Sequence, residues 1–315
     1  MATYQTYTAI GQREDLSDVI YNISPTDTPF MSSVGKTKAT AVYHEWQTDS
    51  LAAAALNVAV EGATASDATM SPTSRVGNRC QISQKTIKIS NTLQAVDKAG
   101  RKSEKAYQLA KASAEIKRDM ELTCLSNQVA TNGNSTTARA LGGLQAWIST
   151  TYSGGTSGVA GSGGTTARTN GTNRTFIESM LQTAVRGVYT AGGNPKVLMV
   201  TPAHKQVVSG FAGIAAQRYM APTNAPTTII GAADVYLSDF GTLSVVPNRF
   251  MNSTNSADDV AFVVDPDMAA IAYLRPFQTN ELAVTGDNES TQLLAEFTLE
   301  VKNEAAHGII ADIAE

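Results

Sequence analysis

Charged side chains are scarce in this chain. Lysine, arginine, aspartate and glutamate make up 17% of its 315 residues, and the net charge is −4, whereas about 25% charged residues is usual for a soluble protein. Direct binding of nucleic acid needs clustered lysine and arginine, so this composition argues against it. A surface with so few charges is often one that other subunits cover.

Cysteines are also scarce, and long apolar runs and targeting signals are absent. Cys80 and Cys124 lie far apart in the sequence, so we predict two buried thiols rather than a disulfide. No apolar run is long enough to span a bilayer, which takes about 20 residues, and no signal peptide follows Met1. We therefore expect a cytoplasmic protein without membrane association.

No set of residues has the spacing of a catalytic or metal site. Gly35-Lys36-Thr37 resembles the end of a phosphate-binding loop, but Phe30 occupies the position of its first glycine. Asp265-Pro266-Asp267 is explained most simply as a turn, and no Gly-x-Ser-x-Gly nucleophile elbow occurs. The histidines, none of which has a partner at metal-ligand spacing, are His44, His204 and His307. We predict neither a cofactor, a metal nor an enzymatic activity.

The clearest predicted element is a long helix over residues 103–127. Small or apolar residues recur there every three or four positions and would share one face; they are Ala106, Leu109, Ser113, Ile116, Met120 and Cys124. Ser103 suits the cap of this helix and Glu104 its positive end. At 1.5 Å per residue the helix would be about 37 Å long. It is expected to lie across a sheet or a neighbouring subunit, with charged residues such as Glu121 pairing on its surface.

Two segments before this helix have little core of their own. Pro25 and Pro29 prevent a helix and favour an extended arm, which is expected to be either disordered or laid over another surface. Residues 37–47 and 79–90 are predicted to be the strands of a long hairpin, with a bulge or bend in the second strand. Because an isolated hairpin is marginally stable in water, this one should rest on a partner.

The second half of the chain begins with a glycine- and serine-rich stretch, residues 153–172, whose composition is typical of a flexible, poorly packing loop. A helix at 175–191, a buried strand at 196–200 and a helix opened by Thr201 and Pro202 follow. Further strands are predicted at 234–237, 243–246, 260–264, 269–274 and 291–303. Helices and strands segregated in this way indicate an α+β fold with mostly antiparallel pairing.

Two motifs in the first 51 residues resemble a family of tailed-bacteriophage major head (major capsid) proteins. They are residues 13–30, REDLSDVIYNISPTDTPF, and residues 44–51, HEWQTDSL. The order of the later parts and the final strand at 296–303 are also similar to that family, so the likeness covers most of the chain. The resemblance implies the Hong Kong ninety-seven capsid fold.

If the chain has that fold, the resemblance implies that it is divided into six parts. They are an N-terminal arm (1–35), an extended β-hairpin loop (36–92), a peripheral domain with the long spine helix (93–152), a Gly/Ser-rich loop (153–174), an axial domain (175–267) and strands that return to the peripheral domain (268–315). The contacts between subunits are expected in the arm and the loop, at Pro25, Pro29, Phe30, Trp46, Glu61, Asp67, Arg75 and Arg79.

The function that the resemblance implies is structural. The chain would self-assemble as pentamers and hexamers into an icosahedral shell of the virion, around double-stranded DNA that it contacts without sequence specificity. Because the arm motif begins almost at Met1, scaffolding is expected from a separate protein. A portal protein and a decoration protein are further expected partners, and assembly would take place in the cytoplasm of the bacterial host.

Two other functions remain open at this point. An encapsulin-like nanocompartment that holds protein cargo would share the same fold. An enzyme would have its catalytic unit at residues 175–274, where only the strand at 196–200 followed by Thr201-Pro202 supports it.

Overall fold

The computed structural model describes residues 24–65, 67–68, 70–97, 100, 102–211, 234–257 and 259–314. Residues 13–23 of the first motif lie outside the described residues. Within the described ranges the chain forms two larger sheets, two pairs of short strands and six helices. None of these helices is long and apolar enough to cross a membrane.

The long predicted helix is present as α3 (Glu104–Cys124). The side chain of Ser103 accepts a hydrogen bond from the backbone N–H of Ala106, which confirms the predicted cap. The predicted apolar face is correct in the C-terminal half of the helix, where Ile116, Met120 and Cys124 are buried. It is wrong at the N-terminal end, because Ala106 is exposed. The helix packs on the first sheet, as its single apolar face requires.

The first sheet has four strands. In spatial order they are β1 (Gly35–Lys38), β11 (Ala269–Glu281), β12 (Asn288–Val301) and β4 (Gln81–Ser90). The last predicted strand, β12, alternates apolar and polar residues along its sequence, and from Leu293 to Val301 both of its faces are buried. Glu296 is the clearest example of a buried polar residue on this strand. Its carboxylate forms ion pairs with Arg139 at 2.5 Å and with Arg275 at 2.7 Å. Buried charges normally require such partners.

The predicted hairpin pairs differently from the sequence expectation. Its strands are β2 (Tyr43–Thr48) and β3 (Ser74–Arg79), joined in antiparallel register from Tyr43–Arg79 to Thr48–Ser74. The strand β4, which was expected to belong to the hairpin, pairs instead with β12. Its register with β12 is continuous from Ser90 to Gln81, so of the predicted bulge or bend no bulge is present in this stretch. The predicted strand is interrupted at Cys80, between β3 and β4.

The irregular pairing of the first sheet lies in β11. The register between β11 and β12 shifts between Tyr273 and Arg275 and again between Arg275 and Gln278. Pro276 lies inside this stretch, where its missing N–H costs no ladder hydrogen bond.

The second sheet has six strands. In spatial order they are β5 (Thr151–Ser153), β13 (Gly308–Ile310), β10 (Ala261–Val264), β7 (Val197–Val200), β9 (Gly241–Pro247) and β8 (Val235–Ser238). A separate short pair joins β6 (Arg174–Thr175) to β14 (Ile313–Ala314). Most strand pairs in the described part of the chain are antiparallel, as predicted.

The remaining helices surround these sheets. They are α1 (Pro29–Ser33), α2 (Asn91–Ala95), α4 (Leu144–Trp147), α5 (Glu178–Thr190) and α6 (Pro202–Ser209). One face of the six-stranded sheet shares a core with α3 and the first sheet. The other face packs on α5 and α6. Thr201 caps α6 through the N–H of His204, which confirms that predicted helix start.

The prediction that residues 153–172 form a loose loop is wrong. Val159 pairs with Thr169 across a short antiparallel bridge, and the carbonyl of Gly164 accepts the N–H of Ala130 at 2.7 Å. A side chain at Gly164 would lie 2.6 Å from the Trp147 ring, so the glycine is needed for this close packing. The segment is anchored by Arg168, whose side chain is fully buried and bridges Asp312 at 2.9 Å and Asp259 at 3.1 Å.

Both cysteines are buried free thiols, as predicted. Burial raises the pKa of Cys80 to about 11, and the nearby Glu296 carboxylate adds to that shift. A thiol with so high a pKa carries little thiolate near neutral pH and is a poor nucleophile.

The buried histidine His307 gives the fold a predictable pH dependence. Its Nδ1 accepts the N–H of Asp265 and its Nε2 faces the carbonyl of Met268, an arrangement that fits the neutral ring. Burial lowers its pKa from 6.5 to about 4. A depressed histidine pKa means that stability is present above pH 6.5 and is lost as the pH falls toward 4. We expect His307 to contribute a loss of about 3 kcal/mol over that window.

The measurement is chemical denaturation of the full chain at a series of pH values. A His307→Gln variant should be less stable than the parent at pH 7, because the ring is well packed, but its stability should fall less steeply on acidification. Equal slopes in the two proteins would contradict the assignment to this residue.

Candidate assembly surface

The hairpin is fixed to the body of the protein at its root by Asn78. This side chain is fully buried. Its Nδ2 donates to the carbonyls of Leu299 at 2.8 Å and Gly142 at 3.0 Å, and its Oδ1 accepts the N–H of Gly142 at 2.8 Å. The Asn78 side chain therefore joins three separate segments of the chain and fixes the base of the hairpin against β12.

A second contact on the facing strand supports this root. The Nε2 of His44 lies 3.2 Å from Glu300, which also accepts the hydroxyl of Thr37 at 2.8 Å. Gly77 lies so close to the facing strand that a Cβ there would be 2.6 Å from the carbonyl oxygen of His44. The two hairpin strands are thus held in close contact at this position.

Three of the predicted intersubunit contact residues make contacts within the hairpin and its root. Trp46 stacks obliquely on Trp147, with 5.5 Å between the ring centroids. The guanidinium of Arg79 lies 4.1 Å from the centre of the Tyr43 ring. Arg75 pairs with Glu45 at 2.9 Å but remains largely exposed. Trp46 and Arg79 therefore already serve contacts inside the chain.

The loop between the two hairpin strands presents unusual apolar surface. Leu51 is 98% exposed and Leu56 is 91% exposed, and three further large side chains are nearly as open: Val58, Val60 and Met70. Glu61 and Asp67, two of the predicted contact residues, are exposed on the same loop. Single exposed apolar residues are ordinary, whereas five large apolar side chains exposed on one loop are unusual and indicate an interaction site.

The arm enters the body through α1, and here the sequence expectation needs two corrections. Pro29 does not prevent a helix but opens one, because proline fits the first helical position. Phe30 was expected to contact another subunit, but its side chain is 0% exposed within its own chain. Pro25 and Pro29 remain partly exposed. The described end of the arm therefore has an intramolecular anchor.

That anchor is Glu121 of α3, which was expected on the helix surface and is instead fully buried. Its carboxylate accepts the N–H groups of Phe30 at 2.7 Å and Met31 at 2.9 Å, and the amide of Asn248 at 2.7 Å. Burial raises the pKa of Glu121, and these three donors partly oppose the rise. The carboxylate satisfies free N–H groups at the start of α1. It thereby ties the arm to α3 and to Asn248, which directly follows β9.

The described residues hold no group of three or more His, Cys, Asp or Glu that could bind a metal ion. His44, His204 and His307 are held by structural contacts to Glu300, Thr201 and Asp265. Asp265 caps the turn of Pro266–Met268, as expected. Gly35-Lys36-Thr37, which resembled the end of a phosphate-binding loop, belongs to β1 at the edge of the first sheet. Among the described residues, the large apolar side chains with the highest exposure lie on the hairpin loop.

Comparison with known proteins identifies the family of this chain. The family model described as SU10 major capsid protein matches residues 2–314. The chain belongs to this family of phage major capsid proteins. A major capsid protein of Escherichia phage Phieco32 is 29% identical over 351 residues, covering 98% of this chain and 96% of that protein. As a member of the family, the chain is a structural protein of the virion.

Solved structures confirm the fold. A chain of the capsid asymmetric unit of Cyanophage A-1(L) has a TM-score of 0.70 at 12% identity, covering 96% of this chain and 98% of that one. The holo-SrpI encapsulin complex from Synechococcus elongatus has a TM-score of 0.57 at 10% identity, covering 99% and 96%. Both likenesses are of fold alone, and together they confirm the Hong Kong ninety-seven capsid fold.

Proposed function

We propose that this capsid protein assembles as pentamers and hexamers into an icosahedral shell that encloses double-stranded DNA. The observation that carries the proposal is the hairpin loop, which is anchored at Asn78 and open at its tip. Burying its five large apolar side chains against neighbouring copies would contribute about 7 to 15 kcal/mol per loop before ordering costs. Repeated by symmetry, such contacts are sufficient to hold a closed shell.

The proposed partners follow from the shell and from the charge of the chain. A separate scaffolding protein would direct assembly in the bacterial cytoplasm, a portal protein would occupy one vertex, and a decoration protein could bind outside. With a net charge of −4, the chain is suited to enclose DNA without binding it tightly.

An encapsulin-like compartment is the second candidate, because the fold likeness extends to an encapsulin. The family match to phage capsid proteins favours the first candidate. The enzyme hypothesis for residues 175–274 receives no support from the family, whose described role is structural.

The test is co-expression of the full chain with the scaffolding protein of its phage, followed by electron microscopy. Closed shells with pentameric and hexameric units support the proposal, and soluble monomers alone would contradict it. The contents of particles made during infection separate the two candidates, since packaged DNA supports a phage head and a bound cargo enzyme supports a nanocompartment.

A further inference from the structure

The hairpin loop is acidic as well as apolar. Residues 49–73 contain three acidic side chains, Asp49, Glu61 and Asp67, and neither lysine nor arginine. Within one chain its large apolar side chains stay in solvent. A surface that receives this loop should therefore combine apolar walls with positive charge.

An open groove beside α1 has this combination. Its volume is about 700 Å³, well above the roughly 150 Å³ that already accepts a benzene ring in a protein core. Met31 and Val34 contribute apolar surface on one side, and Tyr273 and Phe277 of β11 on the other. The irregular register of β11 around Pro276 lies at this wall, and bulges commonly redirect side chains in this way.

Two lysines supply the positive charge of the groove. Lys36 and Lys117 line it, and within the described residues neither has an acidic partner at ion-pair distance. The ammonium group of Lys117 lies over the Phe277 ring, 6.0 Å from its centroid. Within the described ranges, acidic partners are found for Lys85, Lys105, Lys196 and Lys205.

We propose that this groove receives the acidic, apolar hairpin loop of a neighbouring copy of the chain. The inference rests on the proposed shell and names the surface on which the loop lies. Apolar side chains of residues 51–70 would fill the groove between α1 and β11, and Glu61 and Asp67 would approach Lys36 and Lys117. A polyanion such as DNA is a poorer match, because two lysines among apolar walls neutralise few phosphates.

The first experiment is photo-crosslinking in assembled shells. The full chain carries Val58→p-benzoylphenylalanine, and shells are formed from a mixture of isotopically light and heavy subunits so that crosslinks between copies are distinguished by mass. Crosslinks from position 58 to residues 31–36 or 273–277 of another copy support the proposal. Crosslinks to another surface of a neighbour would overturn the groove assignment but not the proposed shell. A wild-type chain that forms no shells would overturn the proposed function itself.

The second experiment is charge reversal. Lys36→Glu combined with Lys117→Glu should lower the yield of shells by about tenfold or more, because like charges would then face each other. Adding Glu61→Lys and Asp67→Lys to the same chain should restore much of the yield. The matched control is Lys88→Glu on β4, an exposed lysine at the opposite edge of the sheet. Wild-type yield from the Lys36/Lys117 variant, or a reversal that the loop lysines do not rescue, would overturn the proposal.

Discussion

Replacing residues 49–73 by Asn-Gly is expected to abolish shell assembly and leave the single chain folded. Thr48 and Ser74 face each other in the register of the hairpin, so a two-residue turn can join them directly. The loop contributes almost no buried surface to its own chain, because its large side chains are exposed. The change should therefore alter the free energy of unfolding by less than about 0.5 kcal/mol.

Electron microscopy and denaturant unfolding measure the two halves of this prediction. In a second variant of full length, serine replaces Leu51, Leu56, Val58, Val60 and Met70, and it should also fail to assemble. The matched control replaces Ala53, Ala54 and Ala55 by serine in the same loop and should still form shells. Shells from the shortened chain would show that the loop is not needed between subunits, and a large loss of stability would show that it serves its own chain.

Local patterns were sufficient to predict the long helix and the final strand. The cap at Ser103, the buried positions Ile116 and Met120 and the alternation along β12 all depend on neighbours within a few residues in the sequence. The same holds for Thr201 and Pro202 at the start of α6. Such elements need little information from the rest of the chain.

Contacts between distant segments could not be predicted in this way. Glu121 accepts backbone N–H groups that lie 90 and 91 residues away, and backbone donors leave no signal in the sequence. Asn78 offered a weak signal, because asparagine is unfavourable inside a strand, yet its partners at Gly142 and Leu299 could not be named. The division of residues 74–90 into two strands with different partners was missed for the same reason.

Composition was misleading for the glycine- and serine-rich segment. Small residues were interpreted as flexibility, whereas Gly164 is small because Trp147 and a neighbouring backbone approach it closely. One charged residue, Arg168, fixes the segment to the C-terminal part of the chain. The contribution of Arg168 to the free energy of unfolding can be measured by mutation.

Arg168→Met is expected to lower the free energy of unfolding by about 3 to 5 kcal/mol, because it leaves buried carboxylates without their cation. Asp312 is fully buried and Asp259 nearly so. The arginine also donates to Gln145 at 3.1 Å, so its loss affects both the glycine-rich segment and the core beneath it. Denaturant unfolding measures the loss, and limited proteolysis should show earlier cleavage within residues 153–172.

A double-mutant cycle separates the ion pair from simple loss of packing. Asp312 has a positive φ of 59°, a conformation that asparagine also adopts readily, so Asp312→Asn removes the charge with little backbone strain. The combined Arg168→Met and Asp312→Asn variant should be less destabilised than the sum of the single changes, since no unpaired charge remains at position 312. The control, Lys196→Met, removes an exposed partner of Asp267 and should change the free energy of unfolding little, because exposed ion pairs contribute little to stability. Strict additivity, or a loss at Arg168 no larger than at Lys196, would show that the buried ion pair does not hold the segment in place.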